Sequence, residues 1–255
     1  MTEPEWADSR VGWLRGAVIA HRGLHDVARS GAPVANKRWV ENTLYAFSCA
    51  IAAGLGIECD VRLAGDGTVV VFHDTTLDRL THAKGPLKAH GMEVLSRLPV
   101  GGTRDVIPTL AQVLDLVAGQ VPLLIEIKLD RREDVAPLCE GVAKALADYA
   151  GRHAIMSFDV RAPRWFAEHA PDVPRGLVME ARNMRGWRAR WLMPRRFASA
   201  QVEFLAVDIR GLPQRAIAQW RETWPIATWT VRRAIQREVA LAHADALIAE
   251  GDGLA

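Results

Sequence analysis

The stretch Ile57-Glu58-Cys59-Asp60-Val61-Arg62-Leu63 decides how this chain is read. It has the pattern of a short strand carrying carboxylates at Glu58 and Asp60. Side chains two apart on a strand point to the same side. Two acids facing one way among apolar neighbours are costly unless something cationic sits between them. A hard divalent ion, which prefers oxygen ligands, is the simplest such cation. The ordinary alternative is a pair of exposed carboxylates at a strand end, and the flanking sequence has to separate the two.

Just before this strand, Leu44, Phe47, Ala50, Ile51 and Gly54 recur at helical spacing, with Asn42 or Thr43 as the cap. Just after it, Asp66-Gly67 is a turn signal, and Val69-Val70-Val71-Phe72 follows at once and ends in His73-Asp74. The second and third strands are thus joined by a tight turn, where a regular βα repeat would place a helix. Residues 75–107, with Gly85, Pro86, Gly91, Pro99, Gly101 and Gly102, read as an inserted lobe.

Further outward the same alternation continues. Ala17-Val18-Ile19-Ala20 is a buried strand ending in His21-Arg22-Gly23, and residues 24–40 are a loop. Pro108-Thr109-Leu110 opens a helix, 121–128 is the fourth strand and 133–149 an amphipathic helix. Strands are expected over 154–158, 177–179, 204–208 and 226–231, a short helix over 164–168 and a closing helix over 232–242. Ala246-Leu247-Ile248-Ala249 is a last short extended piece near the barrel wall. Eight short, almost continuously apolar strands separated mostly by helices predict an α/β fold, a (β/α)8 TIM barrel with a small insertion after the third strand. A doubly wound open sheet is the runner-up, and it lacks support because no Gly-rich phosphate loop follows the first strand.

Composition agrees with one such domain over residues 1–255. The chain has 255 residues, 49% of them hydrophobic, enough for a large core. A formal net charge of +2 gives no sign of a nucleic-acid binder. Cys49, Cys59 and Cys139 make neither a disulfide framework nor a zinc spacing and read as buried thiols in a reducing compartment. The first twenty residues carry Glu3, Glu5, Asp8 and Arg10 without a long apolar run, unlike a secretory signal, and no apolar stretch reaches spanning length. The expectation is a soluble cytoplasmic protein.

Active sites of barrels lie at the C-terminal ends of the strands. Those ends carry His21 and Arg22, Glu58 and Asp60, His73 and Asp74, then Glu126 and Lys128 on four consecutive strands. Each has an ordinary reading taken singly, such as a capped histidine or a rim salt bridge between Glu126 and Lys128. Together they supply what phosphate chemistry uses: a place for a cation, positive side chains for the non-bridging oxygens, and groups that move protons to and from the bridging ones.

At this point the chain resembles the glycerophosphodiester phosphodiesterase family. The resemblance rests on His21-Arg22-Gly23, Glu41-Asn42-Thr43, Ala46-Phe47, Gly54, Glu58-Cys59-Asp60-Val61, Asp66-Gly67 and Val71-Phe72-His73-Asp74. Leu77, Arg79, Pro108-Thr109-Leu110, Glu126-Ile127-Lys128, Ser157-Phe158-Asp159 and Trp229-Thr230-Val231 match later landmarks, so it covers nearly the whole chain. It implies metal-dependent hydrolysis of glycerophosphodiesters, a small-molecule substrate, to glycerol 3-phosphate and an alcohol. It assigns a divalent metal, Mg2+ or Ca2+, to Glu58, Asp60 and Glu126, acid–base roles to His21 and His73, and phosphate contact to Arg22 and Lys128. Glu41 and Asn42 match a Glu-Asn pair near the site, although Asn42 has a second reading as a helix cap. Trp229 matches an aromatic lining the organic side of the substrate, with a core tryptophan as the alternative. The chain departs from the family at Arg232, where asparagine is common, and at Ala249-Glu250, where Thr-Asp is usual.

Two other functions use the same parts: a phospholipase-D-like hydrolase of lysophospholipids or sphingolipids, and an idle barrel binding a phosphorylated metabolite. The presence of both histidines and all three acids speaks against the idle barrel. Arg182 to Arg196 holds six arginines with Trp187 and Trp191. It reads first as a solvated helix with a basic face, and second as a segment making weak contact with an anionic membrane surface. Oligomeric state is not legible in the sequence.

Overall fold

The computed structural model describes residues 6–25, 39–184 and 192–255. They belong to two compact units, residues 20–152 and residues 1–19 together with 153–255.

In the unit of residues 20–152 the first strand, β1 (Val18–His21), contributes its last two residues. Helix α1 (Leu44–Ala52) follows, with Thr43 as its N-cap accepting from the Ala46 amide. Thr43, not Asn42, is therefore the cap, and Asn42 sits in left-handed backbone at φ 58°. Asparagine tolerates that conformation better than most residues. Strand β2 (Gly56–Leu63) runs through the decisive stretch and is buried over its first six residues. It turns tightly into β3 (Val69–Val71), which pairs with it antiparallel, Val61 opposite Val71.

That pairing corrects one expectation. The 69–72 run is not the third strand of a parallel set. A connection this short closes only a hairpin, because a parallel neighbour needs a crossover of roughly a dozen residues or more. The reversal carries the chain back beside Asp60, where the Phe72 amide donates to the Asp60 carbonyl at 2.9 Å.

The inserted lobe is more ordered than its glycines and prolines suggest. It contains a short helix, α2 (Met92–Leu95), and isolated bridges Thr76–Pro86 and Pro99–Val106. Leu77, Leu80, Leu87, Leu95, Leu98, Val100 and Ile107 form a core with Val40, Val70 and Phe72. Burying such side chains stabilises by about 1.5–3 kcal/mol each, which is what holds the lobe onto β3. Helix α3 (Leu110–Val117) is closed by a Thr109–Gln112 capping box. Strand β4 (Leu123–Ile127) pairs parallel with β2, and the register sets Asp60 beside Glu126. Helix α4 (Ala136–Leu146) completes the unit, shorter at both ends than the 133–149 expected.

The other unit is a parallel succession. Strands β5 (His153–Ser157), β6 (Arg175–Met179), β7 (Phe204–Asp208), β8 (Ile226–Val231) and β9 (Ala246–Ala249) pair in chain order, each parallel to the next. Helix α5 (Arg161–His169) follows β5. Helices α6 (Met193–Ser199) and α7 (Arg215–Trp220) send Met193, Phe197, Ile217 and Trp220 into a core with Leu177, Leu205, Val207 and Ile226. Helix α8 (Ala234–His243) buries Ala240 near Val231, Leu247 and Ala249. The 246–249 piece is thus a full strand of the parallel set. Among the described residues β3 is the strand with an antiparallel partner, and every other printed strand pair is parallel. Trp187 and Trp191 of the arginine-rich segment lie outside the described residues, as do 26–38 of the loop after β1.

Candidate active site

Three carboxylates, Glu58, Asp60 and Glu126, offer oxygens that all lie within 4.8 Å of one another, and all three residues are buried. The convergence follows from local structure. Glu58 and Asp60 are two apart on β2, and the β2–β4 register brings Glu126 alongside Asp60. These are the three acids picked from the sequence.

Each acid is held differently. Glu58 Oε2 accepts the Arg22 backbone N–H at 2.9 Å, and His21 Nε2 lies 4.0 Å away. Glu58 Oε1 is buried with no hydrogen-bond partner. Asp60 Oδ2 accepts from Asn42 Nδ2 at 2.8 Å and lies 3.1 Å from Arg22 Nε. The Lys128 ammonium stands 3.0 Å from Asp60 Oδ1 and 2.5 Å from Glu126 Oε1.

The electrostatics follow. Burial pushes the Glu58 carboxyl well up, and the Asp60 and Glu126 charges push it further. Burial also raises Glu126, partly offset by Lys128. Burial acts upward on Asp60 too, but Lys128 and Arg22, with the two histidines, outweigh it and hold this carboxyl far below the usual range. Lys128 is pushed up despite burial by Asp60 and Glu126. Three buried carboxylates thus share two cations, and Glu58 is the one left short of positive charge. An all-oxygen donor set with one buried, unpartnered carboxylate oxygen fits a hard divalent cation.

A second set of contacts surrounds the acids. Arg22 has φ 59°, a left-handed conformation costing a non-glycine residue on the order of 1–2 kcal/mol. It aims the backbone N–H at Glu58 while the guanidinium reaches Glu41 Oε1 at 2.7 Å. Gly23 follows at φ 82°, and a Cβ there would come within 2.8 Å of the Phe47 ring, so the close approach of α1 requires glycine. Arg79, reached from the inserted lobe, donates to both Glu41 oxygens at 2.9 and 2.7 Å and to Asp74 Oδ2 at 2.6 Å. Asp74 Oδ1 lies 2.7 Å from His73 Nδ1. Arg62 Nε donates to the His73 carbonyl at 2.8 Å. Burial lowers the His73 pKa, partly opposed by Asp60. Glu41 is held at about 2: burial acts upward, but Arg79 and Arg22 prevail.

His21, Arg22, Glu41, Asn42, Glu58, Asp60, His73, Glu126 and Lys128 therefore stand in the same unit. Arg62 and the Arg79–Asp74 link carry no role in the sequence reading. Arg79 is a visible landmark there, but nothing in spacing links it to Glu41, 38 positions away. Trp229 is in the other unit, half-buried, with Nε1 donating to the Ala206 carbonyl at 3.0 Å. Its ring meets Phe158 edge-on at 5.3 Å, and Phe158 is 40% exposed. It is thus neither a fully buried core tryptophan nor a bare surface one.

Comparison with known proteins decides the family. The model of the glycerophosphoryl diester phosphodiesterase family matches residues 21–250. The chain belongs to that family. Membership sets the enzyme class, glycerophosphodiester phosphodiesterase. A glycerophosphodiester phosphodiesterase of Caldanaerobacter subterraneus subsp. tengcongensis is 33% identical over 184 residues, which is 68% of this chain and 71% of that protein. Among solved structures, an Oleispira antarctica phosphodiesterase in complex with its product sn-glycerol 3-phosphate superposes with a TM-score of 0.77. It is 21% identical, with 94% of each chain covered. The glycerophosphodiester phosphodiesterase of Thermotoga maritima gives a TM-score of 0.70 at 24% identity, covering 93% of this chain and 94% of that one. The fold is the (β/α)8 TIM barrel read from the sequence. No described helix is long and apolar enough to cross a membrane.

Proposed function

We propose that this phosphodiesterase hydrolyses glycerophosphodiesters to glycerol 3-phosphate and an alcohol, using Mg2+ or Ca2+ held by Glu58, Asp60 and Glu126. The observation that carries the reading is the convergence of these three buried carboxylates, Glu58 Oε1 unpartnered, beside His21, Arg22 and Lys128. The product-bound Oleispira relative, matched along nearly its whole length, supports the product assignment. When bound, the metal would neutralise the acids and draw charge from a phosphoryl oxygen.

The remaining work falls to the chain's own residues. Arg22 and Lys128 place positive charge where the phosphate's non-bridging oxygens would lie. His21 and His73 serve as the acid–base pair. With Asp74 at Nδ1, the His73 ring is oriented to use Nε2 toward the substrate. A lowered His73 pKa favours the neutral imidazole that can take a proton. Glu41 and Asn42 act at one remove, Glu41 on Arg22 and Asn42 on Asp60. Trp229 takes the organic side of the substrate by its match to the family's aromatic at that position, and its half-buried ring meets Phe158 edge-on.

The test is release of glycerol 3-phosphate from glycerophosphocholine, with and without a chelator, beside release of choline from lysophosphatidylcholine. Chelator-sensitive turnover of glycerophosphocholine is expected. Preference for the lysolipid would shift the reading to the phospholipase-D-like alternative, and turnover of neither would overturn it.

A further inference from the structure

We infer that Arg79 is a positioning residue that locks the His73 side of the site to the Arg22 side through a single guanidinium. The inference rests on the proposed acid–base role of His73. Arg79 spends Nε on Asp74 at 2.6 Å, and Nη1 and Nη2 on Glu41 at 2.9 and 2.7 Å. Asp74 passes the constraint to His73 Nδ1 at 2.7 Å, and Glu41 passes it to Arg22 Nη1 at 2.7 Å. Arg22 in turn gives its backbone N–H to Glu58. One planar fork thus ties the lead into α1 to the loop after β3, and Glu41 extends the tie to the end of β1.

The geometry needs arginine. Asp74 is the immediate neighbour of His73, and a carboxylate on a loop turns freely about its side-chain bonds. With Oδ2 tied to Arg79, Oδ1 is left facing the imidazole, which fixes both the ring and its tautomer. The same cation neutralises Glu41, so Glu41 can accept from Arg22 while fully ionised. Lysine has the charge but not the fork, and one ammonium does not reproduce two parallel bonds to Glu41 together with a third to Asp74.

The position argues for function over stability. The Arg79 side chain is 44% exposed. Solvent at the arginine screens part of its pairing, so these bonds add less to folding than a fully buried clamp would. Arg79 touches none of the three proposed metal ligands, and its contacts run instead to the groups that hold Arg22 and His73 in place.

The experiment compares wild type, Arg79→Ala, Arg79→Lys, His73→Ala and the Arg79→Ala/His73→Ala double variant on glycerophosphocholine with Mg2+. Thermal midpoints are measured in parallel. Arg79→Ala should lower kcat on the order of tenfold or more with KM changed less than about threefold. Arg79→Lys, which keeps stem and charge, should not restore it. Millimolar guanidinium should raise the rate of Arg79→Ala several-fold, while ammonium should not, and the rate should be low at temperatures well below the variant's own midpoint, so that lost folding does not account for it. The double variant should lose less than the product of the two single losses, because part of the arginine's effect passes through the histidine and the rest through Glu41 and Arg22. Losses that multiply in the double variant, wild-type kcat in Arg79→Lys, or a fall in kcat that tracks the midpoint without guanidinium rescue would each overturn the inference while leaving the proposed function standing. An inactive wild type would remove both.

Discussion

Asn42 grips Asp60 at two points: its Nδ2 donates to Asp60 Oδ2 at 2.8 Å, and its Oδ1 accepts the Asp60 backbone N–H at 3.2 Å. The residue is buried, in left-handed backbone, and tied by its own amide to the Arg22 carbonyl at 2.9 Å. It links the loop before α1 to the middle of β2, where a proposed metal ligand sits.

Replacing Asn42 by alanine leaves the Asp60 amide unpaired and Oδ2 with Arg22 alone, and sets alanine in left-handed backbone that asparagine tolerates better. The unpaired buried amide costs about 1–3 kcal/mol, with the conformational penalty added. Asn42→Asp keeps the backbone preference but sets a like charge against Asp60 Oδ2. Both variants should unfold at lower denaturant, and Asn42→Asp should also change metal affinity. Urea midpoints together with calorimetric Mg2+ titration check this; wild-type values in both variants would show the grip to be idle.

The metal site predicts a signal independent of turnover. A ligand that binds only the folded protein stabilises it by about 2.7 kcal/mol at a hundred times its Kd. Mg2+ or Ca2+ should therefore raise the thermal midpoint of the wild type. Glu58→Gln removes the carboxylate whose Oε1 has no partner, so the ion should no longer raise the midpoint. That substitution also relieves a buried acid that lacks compensation, so the unliganded variant should be at least as stable as wild type. An unchanged ion-induced shift in Glu58→Gln would place the cation elsewhere.

Glu41 predicts a pH dependence. Its folded pKa is about 2, against an ordinary 4.5, because the two arginines outweigh burial. A depressed carboxylate pKa means that the unfolded chain takes up the proton first as pH falls. The contribution is complete above about pH 4.5 and is lost as pH falls through 4 toward 2. It amounts to on the order of 3 kcal/mol or less. Glu41→Gln should flatten this acid limb in urea titrations between about pH 5 and pH 2. If the two limbs run parallel, the arginine clamp on Glu41 does not couple to folding.

Much of this arrangement was legible before the structure. Alternation at Glu58 and Asp60 gave both the strand and the facing acids, and the turn at Asp66-Gly67 left no room for a helix before β3. The same brevity fixes β3 as antiparallel, but counting apolar runs hid that, because a run carries no direction. The same counting gives 246–249 no partner, whereas it pairs parallel with β8. Asn42 and Thr43 were not separable as caps from sequence, since both cap well; the left-handed backbone at Asn42 decides. Helix α7 is not legible in the sequence, because six residues give too little periodicity. The clamp of Arg79 on Glu41 and Asp74 joins a loop arginine to acids 38 and 5 residues away, and no local pattern encodes such a contact.

The two histidines carry the last prediction. Cleaving a phosphodiester needs one group to take a proton from the attacking oxygen and another to protonate the leaving one. His21 lies 4.0 Å from Glu58, and His73 is held by Asp74 and, through its carbonyl, by Arg62. Each histidine is thus tied to a different wall of the site. On an alkyl diester, His21→Ala and His73→Ala should each lose about a hundredfold or more in kcat. Both should still show the Mg2+-induced rise in midpoint, since neither is a proposed ligand. An aryl diester releases a phenol acidic enough to depart without a proton, so only the variant lacking the acid should recover on it. The lowered pKa of His73 suits a neutral base, which assigns the acid to His21 and predicts that His21→Ala is the variant rescued. Rescue of His73→Ala instead would exchange the two roles. Wild-type rates on the alkyl ester in either single variant would remove that histidine from the chemistry.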